Sequence, residues 1–109
     1  MKVNILGTEY TIIECSEIED ESLKKMDGYC DKTTKRIVIT TPTPESDLGD
    51  WQVYRNKIMR HEIIHAFLFE SGLHENFEHK QFGHDETMVD WIAVQFPKMQ
   101  KVFEEAGCL

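Results

Sequence analysis

The sequence predicts a small α+β domain, a short N-terminal antiparallel or mixed sheet packed on helices, and three observations carry that prediction. Runs rich in Ile, Val, Tyr and Thr, separated by turn formers, occupy residues 2–41. Residues 51–70 contain neither proline nor glycine and place apolar side chains at three- and four-residue intervals. A second run with helical spacing follows residue 85. Strands come first and helices after, within one domain spanning residues 1–109.

Taken in order, residues 2–6 and 9–13 read as two strands joined through Gly7-Thr8. The acidic segment 14–27, with Leu23 and Met26, predicts a short surface helix. "GYC-DKTTK-RIVIT" reads as a second hairpin, with the β-branched run 37–41 as its stronger strand. Pro42 and Pro44 break regular structure, and Asp50 offers an N-cap for the long helix. Tyr54, Ile58, His61, His65 and Leu68 share one face of that helix. Ile63, Ile64 and Phe67 lie on others, so the spacing predicts a largely buried helix ended by Gly72. Residues 73–84 hold three histidines, and Gly83 marks a break. A second helix begins near Asp85 or Glu86 and carries Val89, Ile92, Ala93 and Phe96 on its apolar face, until Pro97 kinks it or starts another. Met99, Val102, Phe103 and Ala106 form a last stripe that Gly107 ends.

Composition narrows the function. With 40% hydrophobic and 29% charged residues, the chain has the makeup of a folded globular protein. A net charge of −8, with Glu14, Glu17, Glu19, Asp20 and Glu21 clustered, repels a phosphate backbone and argues against nucleic acid as partner. The basic group Lys32, Lys35 and Arg36 fits a solvated hairpin tip. The opening "MKVNILGTEYTII" lacks a signal-peptide core, no stretch suits a membrane span, and Cys15, Cys30 and Cys108 show no paired spacing. The expectation is a cytoplasmic monomer with no membrane partner.

The stretch "HEIIH" carries the candidate chemistry. On a helix His61 and His65 lie one turn apart, so their imidazoles can converge on one metal ion. Glu62, about 100° round from His61, is placed to accept a proton from a metal-bound water. Such a pair of histidines also arises by chance on any helix. In a buried helix, however, each polar group would need a partner, because leaving one uncompensated costs roughly 1 to 3 kcal/mol. A catalytic zinc takes three protein ligands and a water. Leu68 and Ser71 stand where a metzincin needs glycine and a third histidine, which leaves His74, His79, His84, Asp85, Glu86 and Asp90 as candidates. Glu86 is preferred because an antiparallel second helix would aim it at the metal, with Asp90 one turn on to orient a ligand histidine. His84 as ligand, or both acids on a wet helix face, are the alternatives. His84, Tyr29, Tyr54, His74 and His79 are further candidates for stabilising an oxyanion.

With those residues in view, "HEIIHAFLFESGL" followed by "DETMVDWIAVQFPKM" resembles the gluzincin branch of zinc metallopeptidases, and more narrowly the ImmA/IrrE-like family of bacteria, phages and integrative elements. The resemblance implies a minimal zincin-like fold in which His61, His65 and Glu86 hold Zn2+, Glu62 is the general base and Asp90 supports the site. It also implies a phage or prophage protein acting on a peptide or protein, such as a repressor or other regulator. In such a fold the strand at 36–40 borders the cleft and pairs with an extended substrate. The expected function is therefore a zinc-dependent endopeptidase. A zinc-stabilised regulatory or binding module without turnover is the alternative, and a metal-free interaction protein is a third reading.

Overall fold

The computed structural model describes residues 1–43, 46–75 and 86–109, with residues 75, 86, 87, 89, 90 and 93 described in backbone alone. Four strands, β1 (Lys2–Ile5), β2 (Thr8–Cys15), β3 (Gly28–Asp31) and β4 (Arg36–Thr40), form one sheet in the order β1-β2-β4-β3. The β1/β2 and β3/β4 pairs are antiparallel and β2/β4 is parallel, so the sheet is mixed. Two-residue alternation sends Tyr10, Ile12, Ile37 and Ile39 to one face, where all four are buried. That face packs against two helices, α1 (Trp51–Glu70) and α2 (Glu86–Glu105). A small mixed sheet on C-terminal helices is the α+β arrangement the sequence predicts.

The β1–β2 turn places Leu6 and Gly7 at φ values of 52° and 93°. Both central residues are therefore left-handed, which matches the right-handed twist of the flanking strands. Glycine accepts that conformation freely, whereas leucine is strained in it. Leu6 is held there by packing its side chain on the core, and Asn4 Oδ1 accepts from the Gly7 amide at 2.8 Å.

The predicted helix over 14–27 shrinks to a single 3₁₀ turn at Glu21–Lys24, capped by Asp20 and burying Leu23. The physical reason is the reach of β2. Its parallel register with β4 runs to Cys15 opposite Thr40, so residues 14 and 15 belong to the sheet.

The long helix forms over the predicted range. Asp50 Oδ1 accepts from the Val53 amide at 3.3 Å, satisfying one of the donors that a helix start leaves open. Asp50→Ala is expected to cost about 1 kcal/mol, read as a lower urea midpoint at unchanged slope.

α2 runs through Pro97 without interruption, and Pro97 is exposed, so its ring does not compete for core space. Its buried residues are Met99, Val102, Phe103 and Ala106, as the last apolar stripe predicts. The upstream face differs from expectation. Ile92 is 45% and Phe96 53% exposed, while the side chains of Val89 and Ala93 lie outside the described residues. Beyond α2 the chain is tied to α1 by Arg60 Nη1, which donates to the Cys108 carbonyl at 2.6 Å. No helix among the described residues is long and apolar enough to cross a membrane.

Candidate functional site

The buried stripe of α1 consists of Ile58, Met59, Glu62, Ile63, Ala66 and Phe67. This places the stripe about one position away from the face expected from spacing. His61 and His65 are exposed, and Glu62 is buried at 7% exposure. The expectation that all three would be buried is thus corrected. Both imidazoles reach the surface, and of the three groups only the carboxyl lies in the interior.

The histidines meet as their spacing predicts. Their Nε2 atoms stand 3.2 Å apart, so one ring donates and the other accepts. The rings are edge-on at 4.8 Å, and His65 also stacks on Phe69 at 6.1 Å, which in turn contacts His74 at 4.7 Å. Partial enclosure pushes the His65 imidazole pKa down, and His61 and His74 push it further the same way.

Gly28 sets the approach of α1 to the sheet. A side-chain carbon there would lie 2.9 Å from the Val38 carbonyl oxygen, 3.0 Å from Ile58 Cγ2 and 3.3 Å from Glu62 Cγ. Helix and strand meet closely because this residue has no side chain. Beside the contact lies a cavity of about 280 Å3, lined by Met26, Asp27, Gly28, Tyr54, Ile58 and Glu62. Lys57 and His61 complete its rim. The Tyr54 hydroxyl donates to Asp27 and closes one wall.

Glu62 faces this cavity without a hydrogen bond or ion pair to any described residue. Burial raises its pKa above the ordinary carboxylate value, partly offset by His61. Cys30, two residues along β3 from Gly28, faces the same side, and burial, with Glu62 nearby, pushes its thiol up to about 12. That thiol is a packing group and not a nucleophile at neutral pH.

The outer edge of β3 carries the other half of the site. Asp27 and Thr40 are bonded, Thr40 N donating to Asp27 O at 2.9 Å. Bonded pairs recur every second residue, so Tyr29 and Asp31 are engaged with β4 while Gly28 and Cys30 turn their amides and carbonyls away from it. Among the described residues no strand pairs with that edge. The strand expected to receive an extended segment, 36–40, is β4, which already has a neighbour on each side. Its edge function passes to β3. At the opposite end of the sheet, β1 is guarded by the Lys2–Glu9 ion pair at 3.3 Å. A second cavity of about 220 Å3, between Leu6, Phe67 and Val102, has no buried polar side chain in its wall.

Glu86 opens α2 and Asp90 stands one turn later, but their side chains, like the whole of His79, His84 and Asp85, lie outside the described residues. Tyr29 donates to Asp20 at 2.5 Å, which raises its pKa to about 12, and Tyr54 is engaged with Asp27. Both hydroxyls are thus held by aspartates. Gly28, Met26, Asp27 and Lys57 join the site without a motif in the sequence to mark them. An isolated glycine at the head of a strand was the available signal for a close backbone approach.

No protein-family model, no curated protein and no solved structure matches the chain. The expected membership of the gluzincins and of the ImmA/IrrE-like family is corrected on these findings and on the missing metal cluster among the described residues. A catalytic zinc requires three protein donors. Among the described residues no group of three or more His, Cys, Asp or Glu could hold a metal ion; His61 and His65 remain a pair. The expectations of a Zn2+ cofactor, of a zinc-dependent endopeptidase with Glu62 as its base, and of a zinc-stabilised module are corrected on these findings. What the fold and site define is a small α+β protein in which, among the described residues, the outer edge of β3 is unpaired beside a buried carboxyl.

Proposed function

We propose that this chain is a recognition module that takes up an extended segment of another polypeptide along the open edge of β3. The observation that carries the reading is the outward turn of the Gly28 and Cys30 backbone groups beside the cavity under α1. Main-chain hydrogen bonds to an edge strand give affinity, and a flanking pocket gives selectivity. His61 and His65 form the exposed flank along which the segment would lie. The net charge of −8 supports a polypeptide over a nucleic acid as the partner. In this reading residues 1–109 act as one domain and as a monomer.

The test uses an acetylated, amidated nonapeptide of alternating Thr and Val, followed by amide spectra of the 15N-labelled protein. The Gly28 and Cys30 amides are expected to shift and to gain protection from exchange. N-methylation of every second peptide residue should abolish the effect in one parity and spare it in the other. Shifts confined to other elements, or equal loss for both parities, would overturn the reading.

A further inference from the structure

We infer that the residue of the bound segment lying opposite Gly28 is basic, and that its side chain enters the cavity under α1 to pair with the carboxyl of Glu62. The inference rests on the edge-binding reading and adds what the edge selects.

Residues paired across strands share a face of the sheet. The direction in which Gly28 would carry a side chain leads onto Ile58 and Glu62, at 3.0 and 3.3 Å. A residue paired with Gly28 from outside therefore also projects onto α1, where the cavity of about 280 Å3 begins. The seam directly over Gly28 is closed by Val38, Ile58 and Glu62, so the incoming side chain passes beside it, from the outer edge, to reach the cavity.

The cavity is matched to a long side chain with a charged head. Met26, Ile58 and Tyr54 supply apolar wall for an alkyl stem, and Glu62 supplies the acceptor. Glu62 is 7% exposed and has no hydrogen-bond or ion-pair partner among the described residues. Its oxygens keep contact with the open cavity, and a charge-assisted hydrogen bond from an incoming ammonium or guanidinium replaces that contact with a directed one. An apolar side chain would desolvate the carboxyl further with no partner in return. An acidic one would meet Glu62 and Asp27 together. Lys57 and His61 are the competing groups on the rim, but both are exposed; Lys57 Nζ lies 5.9 Å over the Tyr54 ring, and His61 Nε2 meets His65 Nε2 at 3.2 Å.

The experiment extends the Thr/Val nonapeptide with Arg, Lys, norleucine or Glu at its central position, and affinity is measured by titration calorimetry. The wild-type protein is expected to bind the Arg and Lys peptides about tenfold or more tightly than the norleucine peptide, and the Glu peptide least. Glu62→Gln should melt no lower than wild type, retain the norleucine affinity, and lose the preference for Arg and Lys. Equal affinity of wild type for Arg and norleucine would overturn the inference while leaving the edge reading standing. A preference for Arg that survives in Glu62→Gln would also overturn it, since overall charge would then be the cause. If no peptide shifts the Gly28 and Cys30 amides, both readings fail together.

Discussion

Glu70→Ala is expected to destabilise the protein by about 3 kcal/mol, the largest effect of any polar substitution considered. The carboxylate at the end of α1 accepts from Thr8 Oγ1 at 3.0 Å, from the Tyr10 hydroxyl at 2.7 Å and from Lys35 Nζ at 2.5 Å. These donors come from β2 and from the loop before β4, so one side chain ties the helix end to the sheet. Tyr10 is fully buried, and removing its acceptor leaves a phenol unsatisfied in the interior, which costs about 1 to 3 kcal/mol by itself. Glu70→Gln, which keeps an acceptor but loses the charge, should cost roughly half as much.

The same group sets a pH dependence whose sign follows from its environment. The Lys35 ammonium, and then the Tyr10 and Thr8 hydroxyls, hold the Glu70 carboxyl below its ordinary value of 4.5. A depressed carboxylate stabilises the fold above the unfolded value, and that stability is lost as pH falls through the folded value. The gap between wild type and Glu70→Gln in urea unfolding should therefore be full above pH 4.5 and shrink steadily below it. A gap that persists unchanged into strong acid would show that the charge is not what Lys35 and Tyr10 recognise.

The second large effect is expected at Gly28. Alanine there puts a carbon 2.9 Å from the Val38 carbonyl oxygen, a backbone atom within the sheet that cannot move aside cheaply. Ile58 and Glu62, at 3.0 and 3.3 Å, would have to retreat with α1. Forcing atoms into a filled seam costs typically 1 to 3 kcal/mol, and about 2 kcal/mol is expected for Gly28→Ala. The substitution should also weaken uptake of the Arg nonapeptide more than its stability cost explains, because it moves both walls of the groove. Gly49→Ala, where an added carbon meets nothing within 4 Å, is the control for the loss of glycine alone.

The parts of the fold that could be read from the sequence are those whose causes are local. An uninterrupted run from Trp51 to Glu70 with Asp50 ahead of it contains its own start, length and period. The run Arg36–Thr40 likewise declares a strand through β-branched side chains. Strand order has no such local cause. Nothing in "GYCD" states that it will lie outside "RIVIT", and nothing in "TEYTIIEC" states that it will pair parallel to it. The helix face differs from the one its spacing predicts for a related reason. Ile63, Ile64 and Phe67 suggested burial all round, yet the sheet selects the stripe through Met59, Ile63 and Ala66 and leaves Ile64 37% exposed. That one-position shift moves His61 and His65 into solvent and turns Glu62 inward. It changes the chemical question from what the histidines bind to what the carboxyl lacks.

The order of the sheet also governs how the chain must be protected while it is being made. All four strands precede both helices in sequence, and the β3–β4 hairpin, with only residues 32–35 between its strands, can close within microseconds. Synthesis proceeds at about 5 to 20 residues per second, so the sheet can assemble well before α2 emerges. During that interval Tyr10, Ile12, Ile37 and Ile39 lack part of their cover, because Val102 and Phe103 are still to come. The nascent chain is thus most vulnerable to aggregation along a finished sheet waiting for its helices, and a ribosome-bound holdase would find its apolar target there.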